Sequence, residues 1–327
     1  MSAESLPEPG PYEADRAGNA ELAAVQPLDG LTTAALEILD RAPQQRTWVQ
    51  SAILLGISLF IFAATGFFND KPSRLALLIC VLFFHELGHY TGMRLFNYQD
   101  VQMFFIPLFG AAVAGRSRSV EGYKEGIVLL LGPLPGILLG TVLGIIGRIQ
   151  HQELLHSAAM LLLVVNGFNL LPFMPLDGGR LLHLVLFSRQ PILEAVFRVL
   201  TGGLLALGGL ALGEWMLAIA GAAIVFGTPH VFRLSQLAHK LRGPVRTGGV
   251  MDLSAKIPYE WAVPLIESVR VRFPSLHDPN LIAKTVRQLW ERIHLRPPGL
   301  AASLLLLLLF AVGFFAAPVM AVAINLR

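Results

Sequence analysis

The segment His85-Glu86-Leu87-Gly88-His89 concentrates reactive side chains within five positions. Histidines four residues apart project from one face of a helix, one turn from each other, where two imidazoles can share a metal ion. Zinc accepts neutral imidazole nitrogen at about 2.0–2.1 Å, and its catalytic sites combine three protein ligands with one open position. Glu86 lies beside the first histidine, where a carboxylate can take a proton from water without binding the ion itself. The motif sits in an apolar run, and ionisable residues inside such a run are costly and functional by default. The competing explanation is a polar patch that joins helices through hydrogen bonds.

A third ligand is needed, and residues 169–180, NLLPFMPLDGGR, supply an acid. Asp177 ends an apolar stretch beside two glycines, which permit unusual backbone geometry. Arg180 and His183 follow it and could tune it or bind substrate, or could simply meet water or lipid headgroups. His151, His156, His230, His239, His277 and His294 are scattered without ligand spacing and read as structural. The glycines of 201–213 fit close helix packing better than a phosphate site.

The elements that must hold these residues are long and apolar. The chain has 327 residues, 54% hydrophobic and 14% charged, with a mean hydropathy of +0.61. Soluble domains are nearer a quarter charged. A membrane-spanning helix needs about 20 mostly apolar residues, and candidates are 48–68, 75–96, 126–147, 156–174, 196–213, 215–232 and 300–325. Residues 181–187 are apolar but too short to span. Residues 101–116 are apolar yet broken by Pro107 and Gly110, which predicts a re-entrant hairpin, with a helix kinked at Pro107 as the alternative. The expected fold is an all-α polytopic membrane protein of about six to seven transmembrane helices with one re-entrant β-hairpin.

Four blocks follow: an acidic, Pro-containing tail over 1–47, expected to be disordered; a polytopic core over 48–232; a polar segment over 233–298; and a last hydrophobic span over 299–327. The tail holds eight acidic and three basic side chains, so against a net charge of +3 the remainder carries +8. No cleavable signal peptide is apparent, and the lone Cys80 gives no disulfide framework. In the polar segment a helix is predicted over Pro279–His294, with Ile282, Val286, Leu289 and Ile293 on one face. Lys and Arg near the span ends favour a cytoplasmic N-terminus. That orientation puts Arg94, Arg116, Lys124, Arg180 and Arg233 inside, and Lys71, Arg74, Arg148 and Arg327 outside. It also brings His85, His89 and Asp177 to similar depth, because the second and fourth spans both run inward.

Here the chain resembles the site-two protease family of intramembrane metalloproteases. That family pairs HExxH in one transmembrane helix with N-x-x-P-x-x-x-x-D-G in a later one. The matches are HELGH at His85–His89 and NLLPFMPLDG at Asn169–Gly178, and the resemblance extends over roughly 75–185. It implies His85, His89 and Asp177 as ligands of a Zn2+ cofactor, Glu86 as catalytic base, and Asn169 as a substrate-positioning residue. It also implies a membrane-embedded hairpin over 101–116. Where the family often shows G-P-x-x-N, this chain has Gly132-Pro133-Leu134-Pro135-Gly136, so no polar role passes to Gly136. No inserted PDZ-type domain is apparent.

The implied activity is zinc-dependent hydrolysis of peptide bonds in or near transmembrane segments. The expected partners are a transmembrane protein substrate and the lipid bilayer, not nucleic acid, and the expected setting is a multi-pass protein of a bacterial cell membrane. One rival is a membrane zinc protease of another type, such as a prenyl-protein protease, which normally takes Glu or His as third ligand. The other is a noncatalytic scaffold or transporter with a vestigial metal site, which would have no use for Glu86.

Overall fold

The computed structural model describes residues 29–41, 47–67, 72–106, 110–116, 121–245 and 256–326. The chain divides into two units, one of residues 43–256 with 288–327 and a smaller one of 1–42 with 257–287.

The larger unit opens with α2 (Trp48–Phe67) and α3 (Pro72–Leu95). Pro72 suits the first turn of α3, where its missing N–H would find no helical partner anyway. Asn97, at φ 57°, turns the chain out of α3 into an antiparallel pair, β1 (Gln99–Ile106) and β2 (Gly110–Arg116). The register pairs Met103 with Val113 and Phe105 with Ala111, with a bulge between Gln99 and Gln102. Strands therefore stand on both sides of Pro107, not a kinked helix; residues 107–109 lie outside the described residues. Arg116 pairs with Asp100 at the base of the hairpin. On the other edge of β1 the Phe105 amide donates to Ser58 Oγ of α2 at 2.9 Å.

Next come α4 (Gly122–Leu131) and α5 (Pro133–Gln150), one 29-residue apolar stretch interrupted where Pro133 lacks an amide hydrogen. The following helix, α6, runs Glu153–Asn169. It stops five residues before the expected end at 174, because Pro172 disfavours helical geometry at Leu171. Two short pieces follow, α7 (Asp177–Leu182) and a π-helical turn over His183–Phe187. Then come α8 (Pro191–Leu212), α9 (Trp215–Val245) and, after the polar segment, α12 (Leu300–Asn325). Helix α9 runs through the expected boundary at residue 232.

Among the described residues, five helices are long and apolar enough to cross a membrane: α3, the α4–α5 stretch, α8, α9 as far as Arg242, and α12. Val49–Ile61 within α2 and Glu153–Asn169 are shorter apolar helices. The protein is thus a predominantly helical membrane protein with one small sheet. A core of Leu129, Leu130, Ile137, Leu163, Leu170, Leu181, Leu306 and Ala317 joins α4 through α7 to α12.

The smaller unit corrects one expectation. Residues 30–40, inside the stretch expected to be disordered, form a helix, α1 (Gly30–Asp40). Asp29 caps it by accepting from the Thr32 amide at 3.0 Å, and Arg270 of α10 (Tyr259–Arg272) donates to the same carboxylate at 2.8 Å. Ala35 and Leu39 are buried, as are Leu265, Ile266 and Val269 of α10. The predicted helix over Pro279–His294 is present with those ends as α11, and Ile282, Val286, Leu289 and Ile293 are all buried.

Candidate metal centre

Helix α3 carries His85, Glu86 and His89 on the face turned into the protein, where their residual exposures are 3%, 7% and 7%. Two glycines let the junction of α4 and α5 approach this face. A side chain at position 88 would put its Cβ 1.9 Å from the Leu131 carbonyl oxygen, and one at position 132 would lie 2.3 Å from His89 Nε2. The turn that ends α6 delivers Asp177, at the head of α7, to the same place with 7% exposure.

Three atoms converge there. His85 Nε2 and His89 Nε2 are 3.1 Å apart, and Asp177 Oδ2 lies 3.2 Å from the first and 3.1 Å from the second. Ligands at the corners of a tetrahedron with bonds of about 2.0–2.1 Å stand roughly 3.3 Å apart, so the triangle has the dimensions of a tetrahedral cation's face. The outer nitrogens agree. His89 Nδ1 meets the Val128 carbonyl at 2.8 Å, and His85 Nδ1 meets Asn166 Oδ1 at 2.8 Å. Facing oxygen acceptors, both Nδ1 atoms carry the hydrogen, so in the neutral rings both Nε2 lone pairs turn inward beside the carboxylate oxygen. Three acceptors facing one another in a buried space are an arrangement that could hold a cation. Among the described residues, this is the single group of His, Cys, Asp and Glu close enough to share one.

The three expected ligands are therefore brought together, with Glu86 beside them in sequence. Asn169 ends α6 half-buried, its amide nitrogen donating to the Val165 carbonyl at 3.0 Å, and no hydrogen bond links it to the three. A residue the sequence reading passed over, Asn166, is the asparagine bonded to His85. Its signal was a second asparagine in the same apolar span, three residues earlier. His183 meets Glu194 at 3.1 Å in a cluster that Arg292 and Ser235 complete. A cavity of about 590 Å³ lies along another face of α3, lined by Phe83, Leu87, Tyr90 and Arg94 with residues of α2 and β1. His85, His89 and Asp177 do not line it.

No family model matches the chain. It is similar to the stage IV sporulation protein FB of Bacillus subtilis, 30% identical over 187 residues, which is 56% of this chain and 64% of that protein. Zinc metalloprotease MJ0392 of Methanocaldococcus jannaschii is 30% identical over 124 residues, 36% of each chain. The chain thus spans less than two thirds of the length of these relatives. A solved structure, the site-2 protease of Methanocaldococcus jannaschii, aligns with a TM-score of 0.39 at 22% identity, covering 55% of this chain and 88% of that one.

Proposed function

We infer, from the kinship with site-two proteases that its relatives and its two motifs support, that this chain is an intramembrane zinc metalloprotease. It hydrolyses peptide bonds in or near the transmembrane segments of other membrane proteins. The observation that carries the reading is the buried triangle of His85, His89 and Asp177, with a carboxylate at the next residue. These three residues hold the ion and Glu86 is the base. A bound zinc supplies Lewis acidity toward water and toward the scissile carbonyl.

The chain's own groups do the rest. Glu86, next to His85 in sequence, is withdrawn from bulk solvent. It accepts the proton that water loses on attack and returns it to the departing amine. Asn169, the last residue of α6, positions the substrate. A substrate helix hides its peptide groups in internal hydrogen bonds, so it must unwind before cleavage, and an edge strand of the hairpin could pair with the unwound segment.

In this reading the five long helices and two shorter ones make six to seven spans, and the β1–β2 hairpin enters the bilayer without crossing it. The N-terminus is cytoplasmic in a bacterial cell membrane. Residues 1–47, 233–298 and 299–327 flank the protease core as tail, cytoplasmic segment and last span.

The test compares wild type with Glu86→Gln in detergent on a model transmembrane peptide, with zinc content measured in both. The amide keeps the shape and all three ligands, so zinc should stay. Losing a positioned base should slow cleavage by roughly 10²–10⁴. Equal cleavage by two zinc-loaded proteins would remove Glu86 from the mechanism. A scaffold with a vestigial site would show the same phenotype for both.

A further inference from the structure

His85 and His89 are held from behind in different ways. His89 leans on the backbone, through the Val128 carbonyl, which no substitution at that residue removes. His85 leans on a side chain. Asn166, with no residual exposure, presents Oδ1 to His85 Nδ1 at 2.8 Å and donates from Nδ2 to the Leu162 carbonyl at 2.7 Å. The second bond decides the sense of the first. A carbonyl only accepts, so the amide nitrogen must face Leu162 and the oxygen must face the imidazole. Nδ1 of His85 is then the donor, and its Nε2 keeps its lone pair for the centre. Gly136 of α5 makes the space. A Cβ there would lie 2.3–2.5 Å from the amide atoms of Asn166, so any side chain at 136 would push the amide off the histidine.

We propose that Asn166 is a positioning residue of the metal centre, fixing the tautomer and ring angle of His85 from a slot that Gly136 keeps open. The inference rests on the reading of His85, His89 and Asp177 as ligands. Groups that orient a ligating histidine typically change metal affinity by 10–100-fold when lost.

The experiment measures zinc affinity of the full chain in detergent by competition with a chromophoric chelator, and records the visible spectrum after Co2+ replacement. Asn166→Leu keeps the volume and removes the acceptor; zinc affinity falls 10–100-fold and the Co2+ bands shift. Asn166→Asp restores an oxygen opposite Nδ1 and recovers affinity to within a few-fold of wild type. Gly136→Ala, with Asn166 intact but displaced, moves affinity in the direction of the leucine variant and serves where that variant does not fold. A leucine variant matching wild type in affinity and spectrum overturns the proposal. An aspartate variant as weak as leucine, together with a Gly136→Ala protein of wild-type affinity, does too, since displacing the amide would then leave the centre unchanged. Wild type that binds no zinc removes the site itself, a different failure visible before any variant is made.

Discussion

Gly132→Ala tests the geometry of the centre without altering any ligand. The added Cβ would sit 2.3 Å from His89 Nε2, 2.5 Å from Cε1 and 2.9 Å from Cδ2. Comfortable separations between such atoms are about 3.5–4.0 Å, so ring and backbone must part by roughly an ångström. Metal ligands tolerate displacements of only about 0.2 Å. If the ring moves, it leaves the triangle and strains its bond to Val128, and zinc affinity falls at least 10-fold, the lower range for disturbed ligand orientation. If the α4–α5 junction moves instead, overpacking costs about 1–3 kcal/mol and the ion is retained. The two motions differ in what they cost: without an ion His89 gives up a single hydrogen bond, whereas the junction must draw its closely packed backbone, Leu131 beside Gly88, away from α3. The ring should therefore yield. Chelator competition and thermal melting in detergent, with and without zinc, separate the outcomes. A Gly132→Ala protein with wild-type zinc affinity and wild-type melting would refute the close approach on which this argument rests.

Other expectations follow from the same contacts. His85→Ala, His89→Ala and Asp177→Ala should each abolish stoichiometric zinc by metal analysis; full zinc in Asp177→Ala would strike that residue from the ligand set. Glu194 accepts from Arg292 and Ser235 and faces His183. Its replacement by Ala strands a partly exposed guanidinium and should lower stability by about 3 kcal/mol or less, read as a lower melting temperature. Thr32, through its hydrogen bonds, and then Arg270 hold the Asp29 carboxyl below its usual 3.8. A depressed carboxyl contributes stability above its ordinary value and loses it as pH falls through the lowered one. Hydrogen exchange at the Thr32 amide should thus show α1 held near neutral pH and loosened only below about pH 4. A cysteine placed at 71 on a Cys80→Ala background should react from outside the cell; labelling from the cytoplasm would reverse the proposed orientation.

What the sequence disclosed and what it hid divide along physical lines. The approach of His85 to His89 was legible because helical spacing is fixed, so HELGH announces itself locally, and Asp177 because NLLPFMPLDG resembles a second motif of one family. The long apolar helices were legible because hydrocarbon imposes a length. Asn166 was not, since its role depends on Gly136 lying opposite, and a glycine in an apolar run carries no label saying what it makes room for. Helix α1 was hidden by its surroundings: the acidic, Pro-containing tail set the average, and the Asp29–Thr32 cap beneath it is a weak signal. The end of α6 was missed by five residues because hydropathy continued past Pro172 while backbone sterics did not.

The separations across the centre have a consequence for how the protein is made. Asn166 lies 81 residues beyond His85, and Asp177 lies 88 beyond His89. A chain that enters a bilayer from its N-terminus presents α3 before α4 to α7, with two imidazoles and a carboxylate whose partners Asn166 and Asp177 come later. A charged side chain at the middle of a lone helix costs about 2.5–3.5 kcal/mol during insertion. Helix α3 is therefore poorly suited to be released into lipid by itself. Its three polar side chains are enclosed only as α4, α5, α6 and α7 arrive, so the centre is completed by packing between helices and not by the insertion of α3 alone.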